Sequence, residues 1–218
     1  TTHASGRYNL YSVLPATYEI RFEGDTGTDI STGETVKTTL SNIGIKTETD
    51  ALDKILNITP LTNTKTELAK QDTTGSATSD ANWATRISNS KTKINQLFGI
   101  NTDKIDDDFI ATEDGDMATK ALQIQNTIDA LTTSLEEEET TILTSNDKST
   151  YVTRDKIFKD MVETFKASTG PFTFENQLDG SGNPIPSTDM IAIANKTENR
   201  ITTARQAAGG SAFSWTKK

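Results

Sequence analysis

The hydrophobic residues of this sequence recur with two different periods, and this change of period constrains the fold more than any other feature. In residues 17–23, TYEIRFE, the apolar side chains Tyr18, Ile20 and Phe22 alternate with charged ones. Such alternation predicts a β-strand with one apolar and one solvated face. From Asn42 onward the apolar residues instead follow the spacing of one helix face. The sequence therefore predicts a chain that begins with β-structure and continues as α-helix.

A second predicted strand precedes the first one. Tyr8 and Leu10 alternate with Asn9 and Tyr11, and Leu14-Pro15-Ala16 makes a short connection in which proline fixes φ and cannot pair. We predict that the two strands form an antiparallel hairpin. Because an isolated hairpin is marginally stable and has unpaired edges, we expect the apolar face of its second strand to be an interaction surface. That face packs on the helices, or the hairpin pairs with another chain or with upstream strands.

Capping and stop signals divide the rest of the chain into helices. Thr59 followed by Pro60 is typical of an N-cap and a first-turn proline. Gly99 follows an apolar-periodic segment in the position of a helix-terminating glycine. The predicted helices span residues 51–56, 60–70, 83–98, 117–143, 151–167 and 190–207.

These patterns predict an α+β fold that is mostly α, with an N-terminal antiparallel β-hairpin followed by a bundle of five or six helices. We assign residues 1–40 to the strands and a connector, and residues 41–210 to the helical bundle. Residues 211–218 form a tail that we expect to be frayed or engaged elsewhere.

The charge of the chain restricts its partners. The formal net charge is -9 and the isoelectric point is about 4.7, which repels phosphate backbones and anionic lipid headgroups. No apolar run approaches the roughly 18 residues of a membrane span. We therefore expect neither a nucleic acid nor a membrane as a partner.

Three further features of composition concern compartment and surface. Cysteine is absent, which excludes disulfides and thiolate metal sites and fits a bacterial protein that crosses the cell envelope. The chain has 39 threonines, which suit polar, solvated surfaces. Because the sequence begins at Thr1 without methionine, we expect it to be a fragment or a processed product.

The residues needed for common catalytic sites are missing from the sequence. His3 is the only histidine, so a Ser-His-Asp triad or a multi-histidine metal site cannot be built elsewhere. No phosphate-binding glycine loop or nucleophile-elbow motif occurs. We therefore predict that the chain is not an enzyme.

An acidic loop before the fourth predicted helix is the best candidate for a metal site. Its carboxylates offer the hard oxygen ligands that calcium takes, about six to eight per ion. The candidate ligands are Asp103, Asp106, Asp107, Asp108, Asp114 and Asp116. Their spacing does not match an EF-hand, and acidic residues before a helix also complement its dipole. Calcium is thus a possible cofactor, with helix capping as the alternative interpretation.

The N-terminal residues resemble a known module. TTHASGRYNL at residues 1–10 and LPATYEIRF at residues 14–22 resemble the closing strands of Cna-B, or carboxypeptidase-regulatory-like, β-sandwich repeats. The sequence departs from that pattern at Ala16-Thr17 and lacks the earlier strands. Further segments resemble a helical module of large bacterial surface and adhesin-like proteins, namely residues 27–33, 57–62, 94–100 and 121–131.

The resemblance implies a β-sandwich remnant joined to a helical bundle in an extracellular or cell-surface protein. We therefore expect a non-enzymatic structural or adhesive module of a larger bacterial surface protein. One alternative is a self-assembling filament or surface-layer subunit that uses its N-terminal strands to complete a neighbour's sheet. Another is an accessory domain of a secreted carbohydrate-active enzyme.

Overall fold

The protein has an α+β fold that is mostly helical, which confirms the predicted fold class. The structure is a computed structural model that describes residues 16–25, 27, 35–46, 57–76, 79–109 and 112–215. Its elements in chain order are β1 (Thr17–Phe22), β2 (Leu40–Ile45), α1 (Pro60–Gln71), α2 (Asp80–Phe98), α3 (Gly115–Glu136), α4 (Ser145–Tyr151), α5 (Arg154–Ala167), β3 (Gln177–Leu178), β4 (Pro184–Ile185) and α6 (Thr188–Ala207).

Among the described residues, the N-terminal sheet consists of β1 and β2, which pair antiparallel with Thr17 opposite Ile45 and Phe22 opposite Leu40. β2 corrects the prediction that the helical part begins at Asn42. Its sequence LSNIGI places β-branched isoleucines two residues apart, as a strand does. β2 also crosses the domain boundary predicted between residues 40 and 41. The strand predicted over residues 8–12 and the helix predicted over residues 51–56 lie outside the described residues.

Helix α1 covers the edge of β2 that faces away from β1. The hydroxyl of Thr66 accepts a hydrogen bond from the backbone N–H of Ile43 at 3.0 Å. The Asn63 side chain accepts from the hydroxyl of Ser41 at 2.9 Å and donates to the carbonyl of Thr39 at 3.0 Å. Polar side chains of α1 thus satisfy a strand edge that would otherwise be unpaired. The threonines were predicted to suit solvated surfaces, but Thr66 is fully buried. Threonine therefore serves the interior of this protein as well as its surface.

Two helix boundaries are confirmed, and the local signals that predicted them are visible. Thr59 and Thr62 form a capping box at the start of α1, with each side chain accepting from the other's backbone N–H at 3.1 and 2.9 Å. α2 ends at Gly99, whose φ of 73° lies in the left-handed region that glycine adopts without strain.

Helix α3 ends at Glu136 and not near residue 143 as predicted. Several glutamates follow its last apolar residue, and carboxylates at a helix C-terminus oppose the helix dipole. The chain turns after Glu136, and the ammonium of Lys148 donates to the carbonyl of Glu136 at 2.6 Å. Leu143 still reaches the core, but from a turn, before the short helix α4 that the sequence did not predict.

One hydrophobic core joins α1, α2, α3, α5 and α6. Phe165 of α5 lies near its centre and contacts the rings of Phe98, Phe172 and Phe174 with centroids 4.7–6.1 Å apart. Phe213 and Trp215 are also buried in this core. The expectation of a frayed tail is therefore wrong for residues 211–215. No helix in the described part of the chain is long and apolar enough to cross a membrane.

Candidate functional site

A cleft of about 440 Å³ opens between β2, α2 and the loop that follows α2, with α1 at its base. Lys65, Asn42, Asp106 and Lys91 meet at this cleft. Tyr18 closes one side, and its ring lies so near Gly44 that a Cβ there would be 2.5 Å from the Tyr18 hydroxyl oxygen. The approach of strand and ring therefore depends on glycine at position 44.

Helix α1 carries Lys65 into the protein interior. Lys65 follows Leu61 by one helical turn and precedes Leu68 by three residues, so all three lie on the buried face of the helix. The Lys65 side chain is only 2% exposed. Its ammonium Nζ donates to Asn42 Oδ1 at 2.6 Å and also contacts Asp106 Oδ1. A buried lysine requires such partners, because an unpaired buried charge is very costly.

A chain of hydrogen bonds holds the partners of Lys65. Asn42 Nδ2 donates to the carbonyl of Asn57 at 2.7 Å, which turns Asn42 Oδ1 toward the lysine. The side chain of Asn57 donates in turn to the backbone carbonyl of Asp106 at 2.9 Å. Residues from β2, from the segment before α1 and from the loop after α2 are thereby fixed around one amine.

Lys91 of α2 completes the charge pattern of the site. Its Nζ lies 2.6 Å from Asp106 Oδ2, so the two carboxylate oxygens of Asp106 serve two different lysines. Burial raises the pKa of Asp106, but the charges and hydrogen bonds of Lys65 and Lys91 outweigh that effect and leave the pKa below its ordinary value. The two lysines therefore favour the charged form of Asp106.

The arrangement places one buried amine, that of Lys65, in contact with the carboxamide of Asn42 and with the carboxylate of Asp106, which is 34% exposed. An amine is a nucleophile once it loses its proton. A carboxylate in hydrogen-bond contact can accept that proton. Neither Lys65 nor Asn42 was predicted as a site residue. A lysine on the apolar stripe of Leu61 and Leu68 is the signal that would have singled out Lys65.

Most of the residues predicted to bind calcium instead form ion pairs, cap a helix or line a second cavity. Asp106 is bound to lysines, and Asp114 caps α3 by accepting from the backbone N–H of Met117 at 3.2 Å while pairing with Lys104 at 3.0 Å. Asp107, Asp114 and Asp116 line a second cavity of about 490 Å³. Within the described ranges, no three histidine, aspartate or glutamate side chains come together to hold a metal ion.

The two remaining aspartates among the predicted ligands also lie in the loop after α2. Asp103 is exposed and lines the cleft near Asp106, whereas Asp108 is half-buried and its carbonyl accepts from Thr112. The described residues therefore do not assemble the predicted calcium site, and helix capping is observed for Asp114.

The predicted interaction residues of β1 differ in burial. Tyr18 is buried and faces the cleft, whereas Ile20 and Phe22 are half-buried. Their assignment as an interaction surface stays a prediction.

No family model, curated protein or solved structure matches this chain. The resemblance to Cna-B and adhesin-like modules therefore remains an expectation based on short motifs. Asn42, Lys65 and Asp106 lie outside the residues on which that resemblance rests.

Proposed function

We propose that this chain is a non-enzymatic structural or adhesive module of a larger extracellular bacterial protein, and that its sheet is completed by another strand at the outer edge of β1. The observation that supports the proposal is the asymmetry of the sheet. α1 covers the edge of β2, whereas the described residues supply no third strand next to β1. A strand edge that has no partner strand among the described residues is a candidate site for strand addition.

The pairing pattern identifies which backbone groups face outward. The N–H of Ile43 bonds to Thr66 of α1, so Ile43 and its opposite residue Glu19 form a non-hydrogen-bonded pair of the ladder. Hydrogen-bonded and non-hydrogen-bonded pairs alternate in an antiparallel ladder. The backbone groups of Thr17, Glu19 and Arg21 therefore point away from β2, toward the position that a further strand would take.

Amide hydrogen exchange of the full chain, read residue by residue by NMR, tests this proposal. In the isolated chain, we expect the outward amides of Glu19 and Arg21 to exchange quickly. The neighbouring amides of Ile20 and Phe22, which pair with β2, should exchange slowly and serve as an internal control. If the outward amides are equally protected in the isolated chain, the edge is already occupied, as it would be by the strand predicted over residues 8–12, and the proposal is wrong.

Self-assembly through the same edge is a second candidate function, and the charges of β1 favour it. When two copies of β1 pair antiparallel about Ile20, Glu19 of each copy lies opposite Arg21 of the other. Shifting the register by two residues in either direction instead places Glu19 opposite Glu19 or Arg21 opposite Arg21. Opposite charges across a strand pair are favourable, and like charges are not.

Sedimentation velocity over a range of protein concentrations separates the two candidates. Self-assembly predicts association that Glu19→Pro abolishes, because proline removes the outward N–H while the ladder to β2 does not use it. Glu19→Ala is the matched control, because it also removes the ion pair with Lys70 but keeps the N–H. A monomer at every concentration would exclude self-assembly. The amide hydrogen exchange experiment would then decide whether the module proposal holds.

A further inference from the structure

The side chains of Lys65 and Asn42 are placed for a reaction with each other. Nζ of Lys65 lies 2.6 Å from Oδ1 of Asn42, and both residues are almost fully buried. The two side chains come from α1 and β2 and are 23 residues apart in sequence. Fixing two reactive groups in contact gives effective concentrations that can reach about 10⁵ M or more. A slow amide exchange reaction is accelerated under such conditions.

Asp106 supplies the group that the reaction needs to move protons. Its Oδ1 contacts Lys65 Nζ, and its Oδ2 is held by Lys91 at 2.6 Å. The carboxylate is thereby fixed with one oxygen directed at the amine. The Lys65 side chain is 2% exposed and that of Asp106 is 34% exposed, so burial acts mainly on the amine and favours its neutral form. A proton passed from the ammonium to the carboxylate leaves a neutral amine and a neutral acid.

We propose that Lys65 and Asn42 join through an intramolecular amide bond, with release of ammonia. Asp106 accepts a proton from the Lys65 ammonium, and the neutral Nζ attacks Cγ of Asn42. A new C–N bond forms as the bond between Cγ and Nδ2 breaks. Nδ2 takes up the proton that Asp106 holds and the proton that Nζ gives up on forming the amide, so that ammonium leaves and the Asp106 carboxylate is restored. No oxidant, cofactor or other reactant is needed.

The surrounding structure orients the amide and provides an exit. The carbonyl of Asn57 accepts from Asn42 Nδ2 at 2.7 Å, which keeps the carbonyl side of the amide next to the lysine. Asn42, Lys65 and Asp106 all line the cleft of about 440 Å³, so the small leaving group has a route to solvent. The bond would tie β2 to α1 at the point where Thr66 already bonds to Ile43.

Mass spectrometry of the full chain tests the bond directly. The intact mass should be lower than the sequence mass by one ammonia. Trypsin should release one branched peptide in which residues 38–46 are joined to residues 55–70, because a Lys65 in amide linkage is no longer cleaved. The measurement reads the bond itself and does not depend on which structural role the chain has.

Three variants make the assignment specific. Lys65→Arg keeps the cation but has no amine to acylate, and Asp106→Asn removes the proton acceptor; both should have the full sequence mass and lack the branched peptide. Lys70→Arg, on an exposed site of the same helix, should keep the mass loss. Circular dichroism checks that each variant folds.

Two results would overturn the proposal. One is a wild-type chain of full mass that trypsin cleaves after Lys65. The other is an ammonia loss that persists in Lys65→Arg, which would point to a succinimide at an asparagine. The wild-type result decides the question even if a variant fails to fold.

Discussion

At the scale of single residues, two carboxylates of this protein, the buried Asp160 and the partly buried Asp106, differ in how their surroundings shift the pKa. Asp160 of α5 accepts two hydrogen bonds from Arg200 Nε of α6, at 2.9 and 2.8 Å. Burial nevertheless outweighs the guanidinium and raises the pKa of Asp160 above its ordinary value. Asp106 shows the opposite balance, since two lysines outweigh burial there. Asp106 contacts two lysines, whereas Asp160 contacts one arginine and also lies near the carboxylate of Glu163, which raises its pKa further.

The raised pKa of Asp160 predicts a specific dependence of stability on pH. The folded protein holds the Asp160 proton to higher pH than the unfolded chain does, so this group stabilises the fold most at low pH. That contribution is lost as the pH rises above about 4 and through the folded-state pKa. Asp160→Asn should remove this dependence. The difference in unfolding free energy between wild type and Asp160→Asn, from urea titrations, should therefore fall as pH rises.

Asp179 provides a control, because its pKa is shifted in the opposite direction from that of Asp160. Its carboxylate accepts from the backbone N–H groups of Asn183 and Ser181 at 2.8 Å each, and these bonds lower the pKa of Asp179. The stability it adds is present above its unfolded pKa and lost as the pH falls. The unfolding free energy of wild type minus that of Asp179→Asn should therefore rise with pH. If both differences changed in the same direction with pH, the assignment for Asp160 would be contradicted.

At the scale of elements, α1 acts as a polar cover for the edge of β2. Thr64 and Thr66 are both fully buried in α1, and each donates its hydroxyl to the carbonyl four residues earlier, at 2.8 Å. Only Thr66 also accepts from the backbone N–H of Ile43. The two threonines therefore form a natural pair for measuring what the cover contributes.

Thr66→Val should destabilise the protein more than Thr64→Val. Valine keeps the branched shape but leaves the buried N–H of Ile43 unpaired, which costs about 1–3 kcal/mol. Thr64→Val removes only one hydroxyl bond to a carbonyl, worth about 1 kcal/mol or less. Unfolding free energies from urea titrations at one pH give the comparison. Equal losses would mean that α1 does not support the edge of β2 through this bond.

The elements also show which parts of the structure the sequence could predict. The N-cap at Thr59 and the stop at Gly99 depend on neighbouring residues, and the sequence predicted both; the reciprocal bond from Thr62 that completes the capping box was not predicted. β2 was missed because its pairing with β1 and its cover by α1 come from distant residues. The site was predicted only in part for the same reason: Asp106 was singled out as a metal ligand, but its partner Lys65 lies 41 residues away.

At the scale of the whole molecule, the C-terminal segment is part of the core. Phe213 exchanges two hydrogen bonds with the Thr202 hydroxyl of α6, at 2.9 and 3.1 Å. The backbone N–H of Trp215 donates to Glu198 of the same helix at 3.3 Å. Both aromatic rings are buried in the cluster that contains residues of α1, α2, α3, α5 and α6. The segment should therefore unfold together with the helices.

The two tryptophans allow this cooperativity to be measured. Trp83 lies half-buried on α2, whereas Trp215 is buried in the C-terminal segment. In the Trp83→Phe variant, fluorescence reports on Trp215 alone, and far-ultraviolet circular dichroism reports on the helices. We expect the two signals to change at the same urea concentration, as in a two-state transition. Trp215→Phe gives the complementary comparison, in which Trp83 reports on α2.

The comparison is made between two signals of one variant, so a loss of stability caused by the substitution itself does not affect it. If the Trp215 signal changes at a lower urea concentration than the helical signal, the C-terminal segment detaches while the helices persist. The segment would then be a separate, weaker unit and not part of a single core. Coincident transitions would instead mean that burial of Phe213 and Trp215 contributes to the stability of every helix that lines the cluster.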